Sequence, residues 1–433
     1  MTIRVVGAGI AGLSAAALLA RRGQPVEVLE AAADPGGLLA PIDFEGVACD
    51  RGSHRVHPSS HPLLRELTGA ADWRVRERAG RLIFGGRHLR YPPDPLRFIY
   101  GLGPRATLRM GLGWLMQPAR LRRIARWEDE RRDTDDDIGF ERFVIRRVGG
   151  SAYRRFYRPY AVKVWGVDPA TLSQSVAKQR VSTSSPVSAF LGRQTHTFLY
   201  PHHGMAALID VLLDQLRARG AEVQFGRRYV RDEWDEPVLY SGHLDDLVAR
   251  DETHLGHRGL YLLHISVPDD CLDDTDTWYS PEAQFWFGRV SQPARFSSAL
   301  SIEGRRVLCV EIPEGRWGPS RDFLPDLSTL MDQLHAAGIL RRRVDALAAR
   351  QTFVPRVYPM YVRGWLSRWR ASMRHVASMG NVFPIGRQGV FLHCNMDHAV
   401  QISSDAVDHL LAGKSAAAWA NRCSDYLGLR VRD

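Results

Sequence analysis

Three glycines, Gly7, Gly9 and Gly12, stand in G-x-G-x-x-G spacing directly after the apolar run Ile3 to Val6 and directly before an alanine-rich stretch. That arrangement suits phosphate binding. Gly7 permits a tight turn, Gly9 lets backbone N–H groups approach a pyrophosphate at the positive end of a helix, and Gly12 lets helix and strand pack closely. A second strand, Pro25 to Leu29, ends at Glu30, placed to accept both hydroxyls of an adenosine ribose. A carboxylate there repels a 2′-phosphate, which disfavours NADP. Strand, glycine turn, helix, second strand and acid in this order point to an ADP-bearing cofactor. The competing explanation is a glycine turn that only packs a helix.

Paired Gly36 and Gly37 imply a second close approach to the cofactor. The run EAAADPGGLLAPIDFEGVACDRGSH resembles the extended N-terminal fingerprint of the amine oxidase, protoporphyrinogen oxidase and UDP-galactopyranose mutase group of flavoproteins. The resemblance selects FAD over NAD. Many members carry a basic residue just before the glycine pair, where this chain has Asp34 and Pro35.

Four further segments are similar to the mutase branch of that group, and what they imply rests on the resemblance. RGSHRVHP at 51 to 58 places Gly52 and His54, and with less force His57, against the flavin ring, where an imidazole can bond its polar edge or tune its potential. FYRPYAVKVWGVDPATLSQSVAKQR at 156 to 180 supplies Trp165, Gly166 and Arg180, a cover for the substrate and a donor to phosphate. FGRVSQPARF at 287 to 296 supplies Arg289, a bridge between flavin and substrate. A buried arginine without an anion is costly, so Arg289 calls for a ligand or a carboxylate partner. IGRQGVFLHCNMDHAV at 385 to 400 puts Gly386 and Arg387 on the cofactor, with Asn395, Met396, Asp397 and His398 opening the last helix beneath the ring. Mutases carry two tyrosines and an aspartate just before that helix; here His393, Cys394 and Asn395 stand there. His393 and Cys394 thereby become candidates for acid, base or thiol.

The expected cofactor-binding set is Gly7, Gly9, Ala11, Gly12, Glu30, Gly36, Gly37, Gly52, His54, Arg387, Asn395 and Met396. The expected catalytic set is His54, Arg180, Arg289 and His393, with Trp165, Arg180, Arg289 and His393 holding substrate. No metal is expected: adjacent His202 and His203 do not usually face one ion, and no acid is spaced to help them. Gly413, Lys414 and Ser415 echo a phosphate loop but lack its upstream glycine and strand.

Composition sets the remaining bounds. A chain of 433 residues, 45% hydrophobic and 24% charged, can bury a large core and divide into two or three domains. The net charge of +10 comes almost wholly from arginine, with Lys163, Lys178 and Lys414 the lysines, and no basic run interleaves with aromatics as a nucleic-acid motif would. Five widely spaced cysteines without a C-x-x-C suggest neither a disulfide framework nor zinc, and a reducing cytoplasm is the simple expectation. No segment gives an uninterrupted transmembrane length. The stretch 95–127 mixes Phe98, Ile99, Trp114 and Met116 with many arginines and could lie on a lipid interface, but a helical subdomain with arginines on its wet face is the favoured reading.

The implied fold is α/β: a Rossmann-type FAD-binding domain with a helical insertion and a mainly antiparallel β-sheet substrate domain. The cofactor domain takes residues 1–93, 200–249 and 379–433, a helical subdomain 94–185, and the substrate domain 186–199 and 250–378. The second cofactor-domain pass reads as an amphipathic helix through Leu208, Ile209, Leu212, Leu213 and Leu216, with a strand from Glu222. Short alternating runs such as GLYLLHISV and RVLCVEI read as the antiparallel sheet. The resemblance implies an FAD-dependent oxidoreductase of small-molecule tailoring metabolism, passing hydride from a small anionic or sugar-like metabolite to flavin. The alternative is a UDP-galactopyranose mutase-like enzyme in which reduced flavin is a nucleophile toward an activated sugar, with no net redox change.

Overall fold

The computed structural model describes residues 2–91, 108, 137–180, 196–230, 234–248, 254–429 and 431. Two sheets organise them. The first is parallel, in the order Val382–Pro384, Val238–Tyr240, Ile3–Val6, Val26–Leu29, Glu222–Gln224. Its strands are short, and all but the polar edge strand Glu222–Gln224 are mostly apolar, as strands covered on both faces are. Ile3, Val5, Val28, Val238 and Val382 are all buried. Ile10–Arg21 runs over this sheet with Ala15, Ala16 and Ala17 buried, and their small side chains let it lie close to the strands. It also packs against Ala206–Arg217 and the helix Met396–Leu411. Chain segments from the start, middle and end therefore share one parallel sheet.

The second sheet has seven strands, in the order Ala348–Pro359, His257–Pro268, Arg305–Pro313, Arg289–Ser291, Thr277–Tyr279, Gly80–Phe84, Arg87–Tyr91. All neighbours are antiparallel except Thr277–Tyr279 with Gly80–Phe84. The long central strand His257–Pro268 is buried on both faces. Tyr261, Leu263, Ile265 and Val267 meet Leu330, Met331 and Leu334 of the helix Leu327–Ala336. Leu260 and Leu262, on the opposite face, meet Ile42 of the cofactor domain. Alternation along this strand therefore sorts side chains between an outer core and the domain interface.

Two boundaries differ from expectation. Gly80–Phe84 and Arg87–Tyr91, counted with residues 1–93, extend the substrate sheet; Leu82, Ile83 and Leu89 are buried there, which needs a second layer that the cofactor sheet does not offer them. Thr197–Pro201, whose first residues closed the expected 186–199 segment, does not join that sheet. It pairs with Trp73–Glu77, and Leu199 bridges Val56, so the aromatic Phe198 and Tyr200 pack on Phe296 beneath the 51–58 loop.

The described part of the insertion is helical: Phe140–Val148, Arg158–Trp165 and Gln174–Arg180, with one turn wound as a π-helix over Tyr153–Tyr157. Phe140, Phe143, Val144, Ala161 and Val164 turn inward. Most of the stretch 95–127 lies outside the described residues. Among those described, no helix is long and apolar enough to cross a membrane.

Candidate active site

The cofactor cradle includes positions where only glycine fits. Gly7 has φ +96°, and a Cβ on it would stand 2.3 Å from Ser241 Oγ; one on Gly12 would stand 1.9 Å from the Gly7 carbonyl oxygen. Ile10–Arg21 starts at Gly9 with no side-chain cap and no acidic residue in its first turn. Its leading N–H groups and positive dipole end are thus left for an anion. Gly36 donates to the Ala8 carbonyl at 2.8 Å and bridges Gly9, so the two glycine loops lie side by side. The third segment closes on them at Gly386, where a Cβ would meet the Ala11 methyl at 2.4 Å.

Glu30 accepts from Ala8 N at 2.7 Å and from Ala32 N at 2.8 Å. Each carboxylate oxygen retains a second acceptor site for a ribose hydroxyl. The carboxylate therefore shapes the glycine turn. The basic residue absent before Gly36 has a counterpart: Arg51 donates to the Gly37 carbonyl at 3.2 Å. Burial lowers the pKa of its guanidinium, an effect partly offset by Asp34. The sequence signal was missed because the arginine comes from the next hairpin.

At the other end of the cradle, the 51–58 loop is tied down from both sides. Asp50 accepts from the Tyr200 hydroxyl at 2.7 Å and from Met205 N at 3.0 Å, while burial pushes its pKa up to about 6 despite those bonds. Ser53 N donates to Glu311 Oε1 at 2.9 Å. Gly52 has φ +93°, and its Cβ would fall 3.3 Å from the same oxygen. Glu311 also accepts both Nε and NH2 of Arg289. Burial works against the charge on Arg289, but Glu311, Tyr358 and Tyr279 outweigh it and hold the guanidinium pKa well above its ordinary value. Arg289 thus has the carboxylate partner that a buried arginine demands. An acid inside the apolar strand RVLCVEIP was the overlooked sign.

His54 lies between cations. Its Nδ1 is buried without a hydrogen-bond partner, and burial, Arg289 and Arg387 together pull its pKa down to about 4. The imidazole is held neutral at physiological pH, with one buried polar atom unanswered. His57 Nδ1 faces the Ser59 hydroxyl at 2.8 Å.

Arg387 NH2 donates to His393 Nδ1 at 3.0 Å. A guanidinium has only donors, so Nδ1 accepts and the imidazole is neutral with its proton on Nε2. Tyr358 stands beside both, its ring 5.4 Å from the Arg387 guanidinium and 5.7 Å from the His393 ring. Trp165 is buried and meets Tyr358 edge-on at 6.2 Å. The Tyr361 hydroxyl accepts from His393 N at 2.8 Å. Tyr358 and Tyr361 come from the Ala348–Pro359 strand and its continuation; the Tyr358 ring lies beside His393, and the Tyr361 hydroxyl braces the backbone of Phe391 and His393. Sequence matching overlooked them because they arrive from a different segment.

Other expected residues are placed as follows. Asn395 caps Met396–Leu411 in a reciprocal box with His398, and Asp397 accepts from His61 N at 2.8 Å. Met396 is half-buried against the main core. Cys394 is buried, and burial pushes its thiol up to about 12, which disfavours the thiolate. Arg180 ends the Gln174–Arg180 helix, and its side chain lies outside the described residues.

An uncapped helix start, glycine positions that a Cβ would fill, an acid at the second strand and an unanswered imidazole at the far end fit FAD in extended form. The family model for flavin containing amine oxidoreductases matches residues 10–239. The chain belongs to this family and is an FAD-dependent enzyme. It is similar to the reduced UDP-galactopyranose mutase structure, with a TM-score of 0.77 and 20% identity over 98% of both chains, a likeness that establishes the fold. It is also 24% identical over 123 residues to a Klebsiella pneumoniae protein named "Probable UDP-galactopyranose mutase", covering 28% of this chain and 31% of that one. The chloroplastic protoporphyrinogen oxidase of Nicotiana tabacum is 27% identical over 188 residues, 41% of this chain and 31% of the relative. The chain thus matches less than a third of the length of either relative.

Proposed function

We propose that the enzyme oxidises a small anionic or sugar-like metabolite by hydride transfer to FAD in the cytoplasm. The observation that carries this reading is the Arg387–His393 hydrogen bond beside Tyr358 and Trp165, which gathers a guanidinium, a neutral imidazole, a phenol and an apolar wall at one end of the cradle. Gly7, Gly9, Ala11, Gly12, Glu30, Gly36, Gly37 and Arg51 would hold the adenosine and pyrophosphate. Gly52, His54, Arg387, Asn395 and Met396 would face the ring. Bound there, FAD supplies a two-electron acceptor.

The chain's own residues would bind and orient the substrate. His393 presents an Nε2–H donor, and Nδ1 can take up a proton only by giving up the Arg387 bond. Arg289, neutralised by Glu311, offers direction more than net charge, while Arg180 is the second candidate cation for an anionic substituent. Trp165 would wall the substrate from water. Five free, buried cysteines accord with a reducing compartment.

Non-redox rearrangement of an activated sugar is the second reading. Tyr358, beside the Arg387–His393 pair, favours it, because the phenols missing at 393–395 had counted against it. Anaerobic stopped-flow absorbance with a panel of carboxylates and sugar phosphates separates the two. Bleaching of oxidised flavin by a substrate supports the first; turnover that demands prior reduction and leaves the flavin reduced supports the second. Because Arg289→Ala would strand the buried Glu311 carboxylate, the cavity is tested with Arg289→Met combined with Glu311→Gln; turnover that survives in this double variant would misplace the cavity.

A further inference from the structure

Among the described residues, four other than glycine have positive φ: Glu45, Asp72, Arg356 and Phe391. Glu45 and Asp72 occupy tight turns away from the reactive end. Arg356 and Phe391, both at φ 53°, each lie two residues before a side chain that reaches it, Tyr358 and His393 respectively. A side chain in the left-handed region crowds its own backbone, so such a residue persists only where its surroundings hold it there.

Both restraints lead back to one place. Arg356 forks onto Asp246, with NH1–Oδ1 at 2.7 Å and NH2–Oδ2 at 3.2 Å. The buried ring of Phe391 stands edge-on to His257, centroids 5.0 Å apart and planes at 84°. His257 Nδ1 in turn faces Asp245 Oδ2 at 3.4 Å. Asp245 and Asp246 are neighbours in the single turn Leu244–Asp246, which follows the parallel strand Val238–Tyr240. Cross-ties join the two arms. Gln388 Nε2 donates to the Arg356 carbonyl at 2.9 Å, and the Tyr361 hydroxyl donates to the Phe391 carbonyl at 3.3 Å while accepting His393 N–H.

We propose that the Leu244–Asp246 turn is a positioning element that holds Arg356 and Phe391 in their strained conformations, and so sets Tyr358 against the Arg387–His393 pair. Neither aspartate touches the reactive end; each acts through an intermediary, Asp246 through Arg356 and Asp245 through His257 and Phe391. The carboxylates follow a strand of the parallel sheet, and their direct partners, Arg356 and His257, lie in the Ala348–Pro359 and His257–Pro268 strands of the other sheet. The turn therefore registers one domain against the other at the place where they meet. The part of this proposal that concerns the flavin rests on the reading that FAD lies beside Arg387.

The test is a double-substitution cycle on the reconstituted full chain. Asp246→Asn removes the fork, and Arg356→Gly removes the need for it, because glycine takes positive φ without strain. Asp246→Asn alone is expected to weaken FAD binding roughly fivefold or more and to shift the flavin visible circular dichroism, as release of a strained backbone position would. In the Arg356→Gly background the same substitution is expected to change neither. Equal effects in both backgrounds, or no effect in either, overturn the proposal. A second readout needs no flavin. In protein labelled with 15N-histidine, the His393 Nδ1 resonance should report an unprotonated, hydrogen-bonded nitrogen, and it should shift in Asp245→Asn and in Asp246→Asn. A wild-type chain that takes up no FAD defeats the flavin reading, and the imidazole signal then decides the clamp by itself: a His393 resonance unmoved by both substitutions refutes it.

Discussion

Glu311 holds Arg289 through both of its oxygens, with Nε and NH2 each 2.8 Å away, directly across the pair of strands that carries them. The same carboxylate takes the Ser53 N–H, so one buried acid joins the substrate sheet to the loop carrying His54.

Glu311→Gln should therefore be more destabilising than the loss of a surface ion pair. Breaking a fully buried pair costs about 3–5 kcal/mol. The Arg289 side chain keeps 27% of its exposure, and solvent screening brings the expected loss to about 2–3 kcal/mol. Urea denaturation measures it, and Glu311→Gln combined with Arg289→Met should recover a large share. A double variant no more stable than Glu311→Gln would show that the pair is not what the acid supports.

Glu30→Ala removes two charge-assisted backbone contacts as well as the ribose acceptor. Each hydrogen bond to a charged group is worth about 1.5–3 kcal/mol, so FAD affinity should fall by at least about tenfold. Titration followed by flavin fluorescence quenching reads the change. Unaltered affinity would take Glu30 out of the cofactor site.

Acid should weaken the fold through His54. Its pKa of about 4 lies below the 6.5 of an unperturbed histidine, so between those values the unfolded chain binds the extra proton. The stabilisation is complete above pH 6.5 and lost as pH falls through 4. Asp50 acts in the opposite direction: its pKa is raised from 3.8 to about 6, so its contribution is present below 3.8 and lost as pH rises through 6. Comparing wild type with His54→Gln isolates the histidine. From pH 7 to pH 4 the wild type is expected to lose about 2 kcal/mol more than the variant, allowing for partial exposure. Parallel curves would mean that His54 is already charged in the folded protein.

Cys394 should be chemically silent. With its thiol pushed up to about 12, iodoacetamide at pH 8 is expected to leave it unmodified in the native protein, and Cys394→Ala should retain flavin binding. Peptide mass spectrometry after native alkylation decides it; rapid labelling would return the thiol to the list of reacting groups.

Local signals made the cradle legible and left much of the reactive end hidden. Gly7 and Gly12 could be read because their spacing belongs to one strand–turn–helix unit, and Gly36 because it stands in a glycine pair soon after the second strand. Glu311, Tyr358, Tyr361 and Arg51 could not. Their roles arise when the long strands and the 51–58 loop meet across the domain interface, and no spacing in the chain encodes that meeting. Gly80–Phe84 and Arg87–Tyr91 were counted with the wrong layer for a related reason: alternating burial identifies a strand but not the sheet that receives it. Arg289 shows the intermediate case, since the need for an anionic partner could be inferred while the identity of that partner could not.

The first strand sits at the middle of its sheet, flanked by residues 26–29 on one side and 238–240 on the other. During synthesis, one edge of Ile3–Val6 must wait for more than half of the polypeptide to leave the ribosome before it can be covered. Such distant pairing is slow, and an unpaired apolar edge invites association with other nascent chains. Chains released before Tyr240 should accumulate in inclusion bodies, and chaperone dependence should ease once that strand has emerged.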